Sequence, residues 1–395
     1  MHNMHIAKIF HIITRLDKGG SAENAIITCR SLNSDRFHSL LIYGSTVAPA
    51  LALNIPAVQV PLLVREISPF KDIIALIHIF FLLWKETPHI IHTNSSKGGF
   101  IGRWAGFFYN ISRRFLFKKR VCIVHTPHGH VFYGYEFSQL KTKLFILLEQ
   151  LTAPITDILI ALTEGERDES LERGIGKPVQ WRIVHCAVGI YGEQFKTADV
   201  HTEFGIPSDA LIIGTTARFE PVKGVRYLID AFSLMKDMEF DVPVYLLLVG
   251  DGALRNELQL LAEKYEVSER VIFTGMRQDV VPLMAAMDVY VQPSLNEGLG
   301  KTIIQAQAAG VPIVASRVQG IPSAIKENVT GLLVPPHNPH ALAQAILRLL
   351  QNGELRTTMG NAGTAWVHEL VDGFPRFSTE RMIYLLEQLY NEAVQ

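Results

Sequence analysis

The sequence predicts an α/β protein of two doubly wound, parallel-sheet domains. Through the first half, short β-rich runs alternate with helical patterns, and the same rhythm restarts after Gly205-Ile206-Pro207. Alternation of this kind implies a mostly parallel sheet covered by helices. A length of 395 residues suits two domains at roughly 100–200 residues each. With 48% apolar and 19% charged residues, each half can bury a core, and wholesale disorder is excluded.

In the first half the strand candidates are Ile6–Ile13, Ser39–Tyr43, His89–His92, Val121–Thr126, Ile158–Ala161 and Arg182–His185. Helical stretches fall between them at Gly20–Leu32, Asp72–Glu86, Gly98–Tyr109 and Leu140–Leu151. The second half offers strands at Leu211–Thr216, Val244–Val249, Val271–Thr274, Val289–Gln292, Pro312–Ala315 and Leu332–Val334. The joint is expected near Tyr191–Pro207, which lacks apolar periodicity and carries Gly192, Gly205 and Pro207. The domains expected are thus 1–195 and 205–375. The segment 376–395 has apolar residues at helical spacing (Met382, Ile383, Leu385, Leu386, Leu389) and is expected to pack back on the first domain. In open α/β sheets ligands bind beyond the carboxyl ends of the strands. A cleft between two facing domains is therefore the expected site.

Cys29, Cys122 and Cys186 have neither disulfide-scaffold nor metal-ligand spacing, and a reducing cytoplasm is the natural compartment. His5, Lys8 and His11 interrupt the first apolar segment, which reads as a buried strand rather than a signal peptide. The most apolar window, Ile73–Trp84, is well short of the roughly 20 residues of a spanning helix. It suits a helix packed on a sheet or one touching a bilayer surface. The formal net charge of -1 conceals an asymmetry: residues 1–195 hold 21 Lys+Arg and 15 Asp+Glu, and residues 196–395 hold 16 and 23. In Arg103–Arg120 six basic residues alternate with aromatics and no acid intervenes. Such a stretch suits an anionic membrane interface or a solvated basic loop. No nucleic-acid-reading module accompanies it.

Four segments carry residues suited to chemistry. Gly19 and Gly20 stand at a strand-to-helix turn, where backbone amides can approach phosphate or a sugar-phosphate; a tight structural turn is the alternative. The turn is neither a dinucleotide fingerprint nor a Walker loop. His128 directly precedes Gly129 after another strand and can hydrogen-bond a polar ligand, although a single histidine there also suits a structural role. Arg218 and Lys223 place two cations at a strand end, where a diphosphate leaving group needs neutralising; a surface ion pair with Glu220 is the alternative for Arg218. Pro293 through Thr302 sets Glu297 beside a glycine-rich helix start. Glu297 can bind sugar hydroxyls or merely cap the helix, and the amides of residues 299–302 can face phosphate. No D-x-D motif occurs, so no metal is expected and cations and backbone dipoles must serve the diphosphate.

Taken in order, these segments resemble glycosyltransferase family 4, retaining nucleotide-sugar enzymes of the GT-B fold. The resemblance rests on Gly19-Gly20, His128-Gly129, Arg218 with Lys223-Gly224, Val249-Gly250-Asp251-Gly252, Phe273-Thr274-Gly275 and Pro293–Ser316. Leu16–Asn24 and Thr126–Tyr135 are most similar to bacterial members that build polysaccharide or lipid-linked oligosaccharide. The resemblance implies two Rossmann-like domains facing across a cleft. It implies that Glu297 contacts the donor sugar, His128 binds it, and Arg218 and Lys223 hold the diphosphate. Gly19, Gly20, Gly250, Met276, Arg277, Gly298, Leu299, Gly300, Lys301 and Gln305 would line the donor, with Met276 and Arg277 bordering the base largely through backbone groups. The second acid of the family's E-x7-E motif falls on Gln305, which keeps an acceptor oxygen but loses a charge-assisted bond to the ribose. Ala187-Val188-Gly189 stands where the family usually has Gly-Val-Asp.

The function implied is transfer of a hexosyl or N-acetylhexosaminyl group, with retention, from a nucleotide sugar, UDP-linked, to a glycan or polyprenyl-diphosphate-linked acceptor. The setting is polysaccharide or lipopolysaccharide synthesis at the inner face of the cytoplasmic membrane, with peripheral membrane contact. Two alternatives remain open to the sequence: a lapsed nucleotide-sugar-binding partner, suggested by Gln305, and a sugar-nucleotide epimerase of similar fold.

Overall fold

The computed structural model describes residues 6–17, 19–46, 53–129, 139–189 and 197–394. His5, Lys18, Tyr191, Gly192 and the stretch 130–135 lie outside the described residues. Two compact units form, Met1–Ala187 with Thr379–Gln395, and Val188–Ser378.

In the first unit the described strands are β1 (Ala7–Ile13), β2 (Phe37–Tyr43), β3 (Ala57–Gln59), β4 (Ile90–Asn94), β5 (Cys122–Thr126), β6 (Ile158–Ala161) and β7 (Trp181–Ile183). They form one parallel sheet in the order β3-β2-β1-β4-β5-β6-β7. The helices are α1 (Gly20–Ser31), α2 (Pro69–Glu86), α3 (Ser96–Phe115), α4 (Gln139–Thr152) and α5 (Glu164–Glu172). Both faces of the sheet are covered, which is why β4 is buried throughout. On one face Phe10, Ile12 and Ile91 pack against Ala75 and Ile79 of α2 and Ile101 and Ala105 of α3. On the other, Ile9, Ile90 and Val124 pack against Met382, Leu386 and Tyr390. These last belong to the final helix of the chain, Thr379–Val394.

Helix ends follow local chemistry. Helix α2 begins with Pro69 at its first position, where the missing N–H costs nothing, and Asp72 accepts from the Ser68 amide at 3.3 Å. Helix α5 starts at Thr163, whose side chain accepts from the Glu166 amide.

The second unit repeats the pattern. After α6 (Val200–Phe204), the strands β8 (Leu211–Thr216), β9 (Val244–Val249), β10 (Val271–Gly275), β11 (Val289–Gln292), β12 (Ile313–Ser316) and β13 (Gly331–Val334) form a parallel sheet in the order β10-β9-β8-β11-β12-β13. Around it lie α7 (Val225–Ser233), α8 (Arg255–Lys264), α9 (Val280–Met284), α10 (Lys301–Ala308), α11 (Pro339–Leu350) and α12 (Gly353–His368). A short hairpin, β14 (Leu370–Val371) with β15 (Phe374–Pro375), precedes the final helix, α13. In each sheet the order reverses beside a central strand, between β1 and β4 and between β8 and β11. Ligands of doubly wound sheets bind beyond the carboxyl ends of the strands at such a point.

Burial has a consequence for acid stability. His11 is fully buried with neither ring nitrogen hydrogen-bonded, and burial lowers its pKa to about 3. Burial is also the main reason why His92 and His125 sit well below the ordinary histidine range. The unfolded chain takes up these protons below about pH 6.5, whereas the folded chain resists them. Stability is therefore full above about pH 6.5 and falls as pH drops from there toward about 3. By pH 5 the loss is expected to be about 2 kcal/mol for His11, with His92 and His125 adding in the same direction. Urea midpoints at pH 7.5 and pH 5 check this, and His11→Phe should flatten the dependence; equal midpoints would contradict it.

Candidate active site

At the sheet reversal of the second unit, the turn after β8 meets the end of β11. The short helical turn Pro221–Lys223 ends on Gly224, whose φ is 64°. A Cβ at Gly224 would lie 2.1 Å from the Pro293 carbonyl oxygen, so only glycine permits this approach. The Leu295 amide donates to Val222 O at 2.8 Å and stitches the two segments together. Lys223 is thereby delivered to Glu297, with Nζ to Oε1 at 2.7 Å.

Glu297 is held by more than Lys223. Its Oε1 also accepts from Gln292 Nε2 at 2.9 Å and from Ser294 Oγ at 2.9 Å. The orientation of the Gln292 amide is itself fixed, because Tyr290 OH and Thr302 Oγ1 both donate to its Oε1, at 2.9 and 3.0 Å. Tyr290, Gln292 and Ser294 are buried. Three donors thus converge on one carboxylate oxygen and leave Oε2 outside these bonds, suited to accept from a hydroxyl.

The remaining residues of the motif build the start of α10. Gly298 is half-buried and Leu299 buried, and Gly300 caps the helix in the left-handed region at φ 76°. Lys301 and Thr302 stand in the first turn, where backbone N–H groups have no acceptor within the helix and the helix dipole favours anions. Gln305 lies half-buried one turn further on and takes no part in the Glu297 network.

Arg218 pairs with Glu220 at 2.8 Å and is more than half exposed, so the surface ion pair is the arrangement seen in this structure. Gly250 ends β9 at φ 134°, and a Cβ there would fall 2.0 Å from the Ala217 carbonyl oxygen. Its amide donates to Gly275 O at 3.0 Å. The ends of β8, β9 and β10 therefore lie in backbone contact. Met276 beyond β10 is exposed. Arg277 is committed to Asp279 and Glu203, at 2.7 and 2.6 Å, and these bonds push its pKa up. With the guanidinium so engaged, a ligand at this edge would meet the backbone here.

The first unit has a parallel arrangement beyond β1, β4 and β5. Gly19 and Gly20 open α1, and a Cβ at Gly19 would meet nothing closer than 4.0 Å. Gly19 leaves open space rather than permitting tight packing. His128 follows β5 with φ 60°, and its Nε2 lies 2.8 Å from Asn94 Oδ1 at the end of β4. Asn94 Nδ2 donates to His92 O at 3.3 Å, which turns Oδ1 toward the histidine, and Nε2 donates to it in the tautomer that carries its proton there. Gly129, at φ 96°, donates its amide at 2.9 Å to Glu166, a buried carboxylate of α5 that also accepts from the Leu162 amide.

Sequence reasoning had not found Tyr290, Gln292, Ser294, Asn94 or Glu166. Polar residues closing an apolar strand were the available signal at Gln292-Pro293-Ser294 and at Asn94. For Glu166 it was the Thr163-x-x-Glu166 capping pattern.

A braced carboxylate beside a lysine and a glycine-led helix start, at the reversal point of the second sheet, suit group transfer from a phosphorylated donor. Family comparison agrees. Residues 28–187 match the model of the glycosyl transferase 4-like domain, and residues 197–366 match glycosyl transferases group 1. The chain belongs to this family of two-domain glycosyltransferases, and it is an enzyme of the GT-B fold. It is 26% identical over 81% of its length, and 80% of the other's, to the UDP-Gal:α-D-GlcNAc-diphosphoundecaprenol α-1,3-galactosyltransferase of Escherichia coli. It is 24% identical to the capsular polysaccharide biosynthesis glycosyltransferase CapM of Staphylococcus aureus, with 97% of both chains covered. Among solved structures, Anabaena HepE in complex with UDP and glucose superposes with a TM-score of 0.77 at 20% identity, covering 98% of this chain and 100% of that one.

Proposed function

We propose that this glycosyltransferase moves a sugar, with retention, from a UDP-sugar to a hydroxyl of a lipid-linked glycan during cell-surface polysaccharide assembly, at the cytoplasmic face of the membrane. The observation that carries the proposal is the braced carboxylate of Glu297, one oxygen saturated by three donors and the other left for a sugar hydroxyl. A group so held needs no reorganisation when charge develops on the donor. The similarity to a galactosyltransferase named for a diphosphoundecaprenol acceptor supports the lipid-linked reading, and the UDP-bound neighbour supports the nucleotide.

In this reading Glu297 Oε2 accepts from a donor-sugar hydroxyl and fixes the ring. Lys223, Arg218 released from Glu220, and the first-turn amides of α10 take the diphosphate, with no metal ion needed. The bond from the anomeric carbon to the phosphate oxygen breaks as the acceptor oxygen attacks from the same face, and the departing phosphate takes the acceptor proton. His128, oriented by Asn94, and the amides beside Gly19 and Gly20 bind the donor sugar and acceptor side.

A panel of UDP-sugars, each incubated with and without a polyprenyl-diphosphate-linked sugar, tests the proposal. UDP release that depends on the acceptor is expected for one donor; release with none, or conversion of the donor alone, would overturn it. Gln305 offers a second check. Restoring a carboxylate with Gln305→Glu adds a charge-assisted bond to the ribose, about 1–2 kcal/mol. The KM for the donor should fall about fivefold or more with kcat little changed, and an unchanged KM would remove Gln305 from the donor site.

A further inference from the structure

Three neighbouring helices of the first unit each turn an apolar stripe away from the core. Helix α2 buries Ala75, Ile79 and Leu83 but exposes Phe70, Ile73, Ile77 and Phe81 along its opposite side. Helix α4 exposes Leu140, Leu144, Leu147 and Leu151, a single stripe at helical spacing. Helix α3, which packs against both, exposes Phe108, Ile111 and Phe115. Beyond its end stands Phe117, 98% exposed and in the left-handed region at φ 52°. A bulky side chain held fully in water on such a backbone is doubly unfavourable, and contiguous exposed apolar surface of this kind marks an interaction site.

The charge around it is one-sided. Residues 69–152 contain 11 Lys+Arg and 4 Asp+Glu. The three described acids, Asp72, Glu86 and Glu149, are each bridged to a cation, Lys97, Lys8 and Arg103. Every residue from Arg114 to Arg120 is exposed. Apolar stripes flanked by cations complement an anionic bilayer, whose phosphates take the charges and whose acyl boundary takes the rings. No helix among the described residues is long and apolar enough to cross a membrane.

We infer that the face built by α2, α3, α4 and the turn 115–120 seats this enzyme on anionic lipid, with Phe117 entering the interface and Arg114, Lys118 and Lys119 meeting lipid phosphates. This deepens the lipid-linked-acceptor reading and rests on it for the choice of a bilayer over a protein partner. The inner side of the apolar window Ile73–Trp84 packs on the sheet, and on this inference its outer side would meet the membrane.

Flotation of the full chain with phosphatidylcholine vesicles, with and without phosphatidylglycerol, tests it. Binding is expected only with phosphatidylglycerol and should weaken as salt rises. Lys118→Ala with Lys119→Ala should cost about fivefold per cation removed, and Phe117→Ser should cost several-fold. Both variants should release UDP normally with a water-soluble acceptor. Absence of binding to the anionic vesicles, or equal binding by the variants, would overturn the inference. So would a dimer in sedimentation that Phe117→Ser dissolves, since a second copy would then be the occupant. Vesicle binding without transfer to any lipid-linked acceptor would sink the acceptor reading alone, whereas transfer to a detergent-dispersed acceptor without vesicle binding would sink the surface alone.

Discussion

Replacing Glu297 by Gln is expected to lower kcat by about 10²–10³-fold while the folded unit stays intact. The amide keeps the volume of the side chain, and its oxygen can occupy the position of Oε1, still receiving Lys223, Gln292 and Ser294. What is lost is the negative charge and the acceptor at Oε2, where the sugar hydroxyl is proposed to bind. A preorganised group of this kind contributes mainly in the transition state, so kcat should drop far more than donor affinity. Turnover near that of the native enzyme, in a variant whose melting temperature is within a few degrees, would show that Glu297 is only a structural cap.

Gly250→Ala is expected to be the most damaging small substitution in the second unit. The new methyl would sit 2.0 Å from the Ala217 carbonyl oxygen, on a backbone at φ 134° that side chains avoid. Relief requires the ends of β8 and β9 to separate, which also displaces Arg218 from the strand edge. Backbone strain and overpacking cost about 1–3 kcal/mol each. For a unit of this size the melting temperature should fall by about 5–15 °C, and the KM for the nucleotide sugar should rise. Differential scanning fluorimetry checks the first effect and donor titration the second; an unchanged melting temperature would mean the strand ends are free to move.

The central strands were legible because parallel strands covered on both faces are nearly continuous apolar runs; Ile158–Ala161, Leu211–Thr216 and Val244–Val249 recur with unaltered bounds. The strand Ala57–Gln59 was not, since one half-buried residue between two exposed ones at a sheet edge carries no apolar run. Helix Glu164–Glu172 is too polar for an apolar stripe to reveal it. Glu297 and Lys223 could be named from their local motifs, but their pairing could not. It depends on Gly224 letting one turn meet another, so that residues 74 apart in sequence are paired. The bracing residues Gln292 and Ser294 were hidden for the same reason, as their role exists only once β11 is in register between β8 and β12. Arg277 shows the converse: a cation beside a motif whose charge is already committed to Glu203 and Asp279.

The proposed reaction is sugar transfer with retention from a nucleotide sugar, organised by Glu297 and Lys223. The proton NMR spectrum of the product formed from an α-linked UDP-sugar and a lipid-linked acceptor tests it most directly. Retention gives an α-glycoside, read from the small coupling of its anomeric proton, formed only when acceptor is present. A β-glycoside, or donor converted without acceptor, would contradict it.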